Sequence, residues 1–241
     1  MIKNKKYDKI SSLKLIMKRG KIMNDNFKTL SFLGTDSGFG QNNNSAFIAS
    51  DEELTIIDCG FTVFEKIIKK FDLKKYKKIN IIVTHLHNDH AGSLGQIILY
   101  LWFMCNKKCN IISKCKNISL YLEIIGTPKE AYTIMQDTEN IKFIKTEHVD
   151  YLDSYGFKMN INNKNIIYTG DTKILEPFLP FLNDTDEFYV DVSKYGGAHL
   201  KIDEIQENLK NIANRNIKIF LMHLDDKEYI KNFLTKNIFL A

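Results

Sequence analysis

Residues 85–90 of this chain contain three histidines and an aspartate, all of them residue types that ligate metals. The order is His-Leu-His-Asn-Asp-His, directly after a run of strand-forming residues. Side chains two residues apart on an extended segment point to the same side, so His85 and His87 can face one point. Asp89 and His90 can turn back toward that point if the strand ends there. Because imidazole and carboxylate are zinc ligands, the stretch predicts a metal site and not a polar surface loop.

Three further candidate ligands follow apolar, strand-like segments elsewhere in the chain. They are His148, Asp171 and His223. One such residue after a strand would more often be a cap or a satisfied polar group. Three of them at the carboxyl ends of strands, where sheet proteins commonly build their sites, predict that all join the first cluster.

The composition is that of an ordinary globular protein, and the length fits one domain or at most two small ones. The chain has 241 residues, of which 44% are hydrophobic and 26% charged, and this length supports one well-buried core. The most apolar run, residues 97–105, is far shorter than the roughly 20 residues that span a bilayer. The N-terminus lacks an apolar core of signal-peptide length. We therefore expect a cytoplasmic protein with no membrane partner.

The basic charge of the chain is concentrated at its start. Residues 1–22 hold eight Lys or Arg and one Asp, a formal charge of +7, which leaves −2 of the total of +5 for residues 23–241. The body therefore has no excess of positive charge that would favour nucleic acid. We predict that residues 1–22 are a basic leader outside the fold, and we hypothesise that Met23 is the natural start.

The cysteines give a weaker signal than the histidines. Cys105, Cys109 and Cys115 could form a second metal cluster, but no nearby histidine or further cysteine completes a tetrahedral set. Four cysteines in a chain of this size do not make a disulfide framework. We expect reduced thiols.

Apolar periodicity divides the chain into two batches of strands, each accompanied by helices. Strands are predicted at residues 29–33, 46–49, 54–57, 79–84, 110–113, 142–146, 155–161, 165–169, 187–192 and 217–222. Helices are predicted at residues 62–71, 93–104, 118–125, 202–214 and 227–235. No internal repeat or linker divides the chain, and two such batches favour two packed sheets with helices outside. The expected fold is α/β, one four-layer αββα domain spanning residues 23–241.

The order of the candidate ligands closely resembles that of the metallo-β-lactamase superfamily. The pattern is His-x-His-x-Asp-His, then His, Gly-Asp-Thr and Met-His-Leu, and the resemblance covers residues 29–224. It implies the αββα sandwich and two metal ions. By position, one ion would take His85, His87 and His148, the other would take Asp89, His90 and His223, and Asp171 would bridge them. The presence of a histidine directly after the aspartate separates the chain from the antibiotic-hydrolysing branch.

Further segments resemble the ribonuclease Z group of phosphodiesterases within this superfamily. They are Gly34-Thr35 before a Gly-rich loop, Asn44-Ser45-Ala46, Ile57-Asp58-Cys59-Gly60 and a sixth histidine, His199. The resemblance implies that His199 lies beside the scissile phosphate; the alternative for this residue is a helix cap or a surface position. We expect Asp58 to be structural, holding a loop or orienting a ligand.

One departure from ribonuclease Z concerns the segment between the third histidine and the bridging aspartate. That group carries a long tRNA-gripping arm there, whereas only 22 residues separate His148 from Asp171, with the turn of a single hairpin at Asn162-Asn163-Lys164-Asn165. A compact core without the arm looks like the phage-type anti-Pycsar phosphodiesterases, which cleave cyclic nucleotides. Asn43-Asn44-Ser45-Ala46, Ser93-Leu94-Gly95 and Leu122-Glu123-Ile124-Ile125-Gly126 add to this similarity.

These resemblances imply a phosphodiesterase that converts 3′,5′-cyclic nucleotides to 5′ monophosphates, serving immune evasion in an infected bacterial cell. Two divalent ions are expected, with zinc favoured over manganese or iron. Asp89 would orient or deprotonate the attacking water, and His199 would neutralise a phosphate oxygen or protonate the leaving 3′-oxygen. We expect a small nucleotide as substrate in preference to RNA. We also expect a homodimer, for which the aromatic-rich helix at residues 93–104 is a candidate interface.

Other classes of function remain open at this stage. A ribonuclease Z-like RNA 3′-end endonuclease would use the same site, and so would a metal-dependent lactonase or thioesterase acting on a carbonyl. Neither carbonyl chemistry has an obvious need for His199. A non-catalytic, metal-stabilised binding module would not require all seven ligand positions.

Overall fold

Extended segments rich in isoleucine, phenylalanine and tyrosine form two β-sheets in the computed structural model, which describes residues 28–136 and 138–241. Each sheet contains six strands within those residues. The predicted leader at residues 1–22 and the proposed start at Met23 lie outside them. No helix in the described part of the chain combines the length and the apolar character needed to cross a membrane.

The first sheet comes from the N-terminal half of the described chain. Its strands, in spatial order, are β1 (Ser31–Gly34), β2 (Ser45–Ala49), β3 (Glu53–Ile57), β4 (Lys78–Ile82), β5 (Cys109–Ile112) and β6 (Tyr132–Met135). The first three strands are antiparallel to their neighbours, and β3 to β6 are parallel.

The second sheet repeats this arrangement with the other half. Its strands are β7 (Ile141–Lys145), β8 (Tyr155–Ile161), β9 (Lys164–Tyr168), β10 (Glu187–Asp191), β11 (Lys218–Met222) and β12 (Ile238–Leu240). Again the first three strands are antiparallel and β9 to β12 are parallel. Because parallel strands begin at the same edge, the carboxyl ends of β3, β4, β9, β10 and β11 all lead into loops on the site's side of the fold.

The helices lie outside the sheets. They are α1 (Phe64–Lys70), α2 (Asn88–Ala91), α3 (Leu94–Cys105), α4 (Ile118–Ile124), α5 (Ile202–Ala213) and α6 (Lys227–Ile230), with 3₁₀ segments at Lys129–Ala131, Glu176–Asp184 and Lys231–Phe233. One apolar cluster packs α1, α3 and α4 against the first sheet, and another packs α5 against the second. A third joins the inner faces of the two sheets and includes Ile57, Ile82, Phe157, Tyr168 and Phe220. These three layers of contact confirm the four-layer αββα fold.

Several elements differ from the prediction. The helix expected at residues 227–235 is only α6, followed by the 3₁₀ turn Lys231–Phe233, because Leu234 is extended and the chain then turns into β12. Strands β6 and β12 and the 3₁₀ segment Glu176–Asp184 were not predicted. Both strands are short and lie at sheet edges, where pairing with a neighbour decides the conformation more than local pattern does.

Candidate metal centre

The candidate ligands lie in the loops and the short helix α2 that follow strands of the two sheets. His85 follows β4, α2 carries Asp89 and His90, Asp171 follows β9, and His223 follows β11 directly. Three of the turns at these strand ends use a left-handed backbone, with φ of 56° at Asp58, 58° at Gly170 and 58° at His223. Residues other than glycine rarely adopt this backbone conformation, so the surrounding packing must hold Asp58 and His223 in it.

Three imidazoles converge on one side of the centre. His87 Nδ1 lies 3.1 Å from His85 Nε2 and 3.1 Å from His148 Nε2. An ion with zinc–nitrogen distances of 2.0–2.1 Å and tetrahedral geometry separates its ligands by about 3.3 Å. The three nitrogens therefore have the spacing of ligands around one ion, and Asp171 Oδ2 lies 3.6 Å from His85 Nε2 to complete a group of four.

Two carboxylates and two imidazoles form the other side. His90 Nε2 lies 3.2 Å from both Asp89 Oδ2 and Asp171 Oδ1, and His223 Nε2 lies 3.1 Å from Asp89 Oδ2. Among the described residues His90 Nε2 is buried without a hydrogen-bond partner. Since an orphaned buried nitrogen is costly, its position between two carboxylates fits a cation ligand. Asp171 thus belongs to both groups.

Acceptors behind the histidines determine which ring nitrogen carries the proton. His148 Nδ1 donates to the Ala198 carbonyl at 2.8 Å, and His90 Nδ1 donates to Asp58 Oδ2 at 2.9 Å. The hydroxyl of Thr84 donates to Asp58, so its oxygen can accept from His85 Nδ1 at 3.1 Å. In all three histidines the Nε2 lone pair is left facing the centre, as metal ligation requires. Asp58 therefore orients two of them, one directly and one through Thr84.

Electrostatics also favours a cation here. Burial lowers the pKa of His85 and His87 below the usual range, so these rings are neutral. Burial also opposes protonation of His223, but the carboxylates around it, Asp171 first, raise its pKa to about 10. The pKa of Asp171 is held well below its usual value, against burial, mainly by His223 and His90. A pocket that stabilises positive charge on its histidines also favours a divalent ion, which displaces the protons from those histidines when it binds.

His199 lies over the cluster. Its ring centroid is 4.8 Å from that of His223 and 5.0 Å from that of His148. Its Nδ1 donates to Asp191 Oδ2 at 2.9 Å, which leaves Nε2 as its free nitrogen. Burial lowers the pKa of His199, but Asp191 outweighs burial and raises it above the usual value.

Asp191 is a residue of the site that the sequence prediction missed. It is the last residue of β10, it is fully buried, and its Oδ1 lies 3.3 Å from His223 Nδ1. The backbone N–H of Thr172 also donates to it, at 3.0 Å. The sequence did contain a signal for Asp191. This residue is a carboxylate at the end of an apolar strand, β10, and Asp171, which was predicted, lies shortly after the end of β9.

The structure brings together all seven residues predicted as ligands, and His199 lies beside them. The predicted supporting segments also contact the site. Ser45 donates its hydroxyl to the Asp58 carbonyl at 2.7 Å, and a Cβ at Gly60 would lie 2.0 Å from the Asp89 carbonyl oxygen, so only glycine fits there. The four cysteines are free. Burial raises the pKa of Cys109 to about 12 and that of Cys115 to about 11, which disfavours the thiolate that metals bind.

Comparison with solved structures gives the fold. The metallo-beta-lactamase fold protein YhfI from Bacillus subtilis superposes with a TM-score of 0.71 at 18% identity, over 88% of this chain and 95% of that one. The short form of human tRNase Z superposes with a TM-score of 0.65 at 14% identity, again over 88% and 95%. Similarity at these identities shows a common fold.

Comparison with sequences gives the family. The Anti-Pycsar protein Apyc1 of Bacillus phage 010DV004 is 24% identical over an alignment that covers 86% of this chain and 92% of the relative. The model of the family described as Anti-Pycsar protein Apyc1 matches residues 28–123 and 113–239. The chain therefore belongs to the Anti-Pycsar protein Apyc1 family and has the metallo-β-lactamase fold.

Proposed function

We propose that the chain is a two-metal phosphodiesterase that hydrolyses 3′,5′-cyclic nucleotides to 5′ monophosphates. One observation carries the proposal: the two groups made of predicted ligands share Asp171, and within each group the donor atoms lie within 4.8 Å of one another. A third such group, Asp171, Asp191, His199 and His223, places His199 against the same aspartate. Phosphoryl-transfer sites with two ions about 3.5–4 Å apart have this kind of shared ligand set. Family membership and the ligand groups together support a metal-dependent hydrolase.

Each ion has its own set of ligands in this proposal. One would be held by His85, His87 and His148, the other by Asp89, His90 and His223, and Asp171 would contribute to both. When bound, divalent ions at such positions polarise a phosphoryl oxygen and lower the pKa of water from 15.7 to about 7. Imidazole and carboxylate ligands favour zinc, with manganese and iron as the alternatives.

Asp89 and His199 move the protons. The side chain of Asp89 is 12% exposed, against 3% for Asp171, so it is the carboxylate that water can reach. As the water oxygen attacks phosphorus, its proton passes to Asp89. The bond from phosphorus to the 3′-oxygen breaks, and that oxygen takes the proton from Nε2 of His199. Asp191 keeps the His199 proton donor in place by holding Nδ1, and its negative charge stabilises the imidazolium.

The short segment between His148 and Asp171 supports a small substrate. The segment between His148 and Asp171 consists of the hairpin β8–β9 with its flanking loops. The turn is the pair Asn162-Asn163, both with left-handed φ, as in a tight two-residue hairpin. No extended arm for gripping a folded RNA is formed there, and relatives in this family are described as Anti-Pycsar proteins.

The experiment is a panel of cyclic nucleotides and a pre-tRNA, incubated with the metal-loaded protein with and without chelator. We expect 5′ monophosphates from at least one cyclic nucleotide, identified by mass spectrometry and chromatography against 3′ standards, and loss of turnover with chelator. Cleavage of the pre-tRNA at ordinary salt without turnover of any cyclic nucleotide would overturn the proposal in favour of an RNA endonuclease. Metal analysis of the same protein should give two ions per chain.

A further inference from the structure

A cavity of about 360 Å³ opens beside the three-histidine side of the centre. His148 lines it, as does Leu86, which lies between two other candidate ligands. The remaining lining comes from residues 145–153, the segment before α4, and Lys173. Pockets for small molecules have volumes of about 300–1,000 Å³. The cavity is thus large enough for part of a nucleotide and adjoins the atoms that would bind the phosphate.

Tyr151 presents an aromatic ring at this cavity. Its side chain is 82% exposed, which is unusual for so large an apolar surface, and its ring centroid lies 6.3 Å from that of His87. The loop that carries it is fixed at its base, because Thr146 N donates to the Ser154 carbonyl at 3.0 Å and Lys173 N donates to the Glu147 carbonyl at 2.6 Å. An exposed ring on an anchored loop is a platform on which a nucleobase can stack.

Asn117 also lines this cavity. It occupies the cap position of α4, yet its side chain makes no capping hydrogen bond. An amide offers both donors and an acceptor, which matches the mixed hydrogen-bonding edge of a base. Tyr151 and Asn117 therefore supply a stacking face and an edge contact.

The charges around the cavity favour an uncharged group as its occupant. The lining contains three lysines and three carboxylates, namely Lys116, Lys145, Lys173, Glu147, Asp150 and Asp153. Lys145 and Asp153 pair with each other. A path for an RNA backbone would carry an excess of positive charge. A balanced lining beside a metal centre suits a neutral base whose phosphate is bound by the centre.

We infer that this cavity is the base-binding subsite, in which Tyr151 stacks on the nucleobase and Asn117 hydrogen-bonds to its edge. The inference rests on the proposed function and adds to it the residues that select the nucleotide. The phosphate would lie at the metal centre and the sugar between the two.

Kinetics with and without a base test the inference. For Tyr151→Ala we expect KM for the cyclic nucleotide to rise about 5- to 150-fold, the factor that base–aromatic stacking contributes. The rate on an aliphatic cyclic phosphodiester such as ethylene phosphate, which has neither a base nor an aromatic ring, should stay within about twofold of the original. Tyr151→Phe keeps the ring and should keep the KM. Leu179→Ala is the control, because Leu179 is an exposed apolar residue that does not line the cavity.

The possible results distinguish a failure of the base-binding inference from a failure of the proposed phosphodiesterase function. An unchanged KM in Tyr151→Ala, or an equal loss on both substrates, would overturn the inference while leaving the phosphodiesterase activity established. If the original protein turns over no cyclic nucleotide, the proposed function fails instead. The subsite is then judged by calorimetric titration with nucleoside 5′ monophosphates: weaker binding by Tyr151→Ala supports it, and equal binding overturns it.

Discussion

At the scale of single residues, His199 separates catalysis from metal binding. It contacts the rings of two candidate ligands but its Nδ1 is taken by Asp191. We predict that His199→Ala keeps its metal content and loses turnover by about 10²–10⁴-fold, the usual contribution of a general acid. Metal analysis and steady-state kinetics on the same preparation check this. Full activity in a metal-replete variant would exclude the proposed role.

Asp171 should behave in the opposite way. It is the residue that both ligand groups share, and it is almost fully buried. We predict that Asp171→Ala loses both bound metal and turnover, since neither group is complete without it. Metal content after dialysis measures the difference, with His199→Ala as the control that passes through the same dialysis. Retention of two ions by Asp171→Ala would contradict the shared-ligand assignment.

Whether a residue of the site could be predicted from the sequence depended on its neighbours in the chain. His85, His87, Asp89 and His90 are recognisable because four ligand types fall within six positions. Asp191 lacks such neighbours. Its importance comes from its contacts with His199 and His223, which depend on how β10 and β11 pair, and pairing is set by tertiary structure.

At the scale of elements, Glu187 connects two strands of the second sheet with the segment that leads into β1. It begins β10, and its carboxylate accepts from Thr29 N at 2.8 Å, from the Tyr189 hydroxyl at 2.6 Å and from Lys164 Nζ at 3.0 Å. Burial raises the pKa of Glu187, but these donors outweigh burial and lower it below the usual 4.5. A carboxyl group with a lowered pKa in the folded state adds stability above its unfolded pKa, and this stability is lost as pH falls through the folded pKa.

We therefore predict a pH-dependent effect of Glu187→Gln. At pH 7 the variant should lose about 1.5–3 kcal/mol of the free energy of unfolding, the contribution of hydrogen bonds to a charged group. At a pH below this lowered pKa, the difference in free energy of unfolding between the two proteins should narrow, because the original carboxylate is then protonated. Denaturant unfolding at both pH values measures this. If the difference in free energy of unfolding does not change with pH, packing and not the charge of Glu187 accounts for the lower stability of the variant.

The elements themselves were predictable to different degrees. Strands β3, β4 and β11 have long apolar runs and were found within a residue or two of their ends. The edge strands β6 and β12 have only four and three residues, and each pairs with a neighbour on one side only of its sheet. The segment Glu176–Asp184 contains Pro180, which disfavours an α-helix and leaves a 3₁₀ conformation that periodicity does not reveal.

At the scale of the whole molecule, the two sheets have the same strand order and the centre lies between their loops. The sequence shows no internal repeat, because this similarity is in strand pairing and direction and not in residue identity. The four-layer arrangement was nonetheless predictable from two batches of strands with helices. The centre takes four ligands from the first sheet's loops and three from the second's.

Metal removal should consequently destabilise the whole molecule. An ion that binds only the folded state stabilises it by about 2.7 kcal/mol when its free concentration is 100 times Kd. We predict that chelator lowers Tm and that added zinc restores it. The same shift should occur in His199→Ala and should be largely absent in Asp171→Ala. Equal melting of the chelated and metal-loaded proteins would argue against ligands contributed by both sheets.

The homodimer expected from the family resemblance remains a prediction. Exposed apolar side chains on α3 and α4, including Phe103, Met104, Leu120 and Ile124, offer a surface that association would cover. Light scattering should give twice the chain mass of 28.0 kDa. We expect the paired substitutions Phe103→Lys and Ile124→Lys to shift the protein to a single chain. A 28.0 kDa particle for the original protein would contradict the prediction.

The placement of ligands on both sheets has a consequence for how the protein matures during synthesis. His85 to His90 leave the ribosome well before Asp171 and His223, so a growing chain carries only part of either ligand group. Such a chain binds an ion weakly and exchanges it freely. The first group can be complete once Asp171 has emerged, but the second also needs His223, so capture of both ions, and with it two-metal activity, would require β11 to have paired. Retention of both ions during translation is therefore a direct readout of the completed fold.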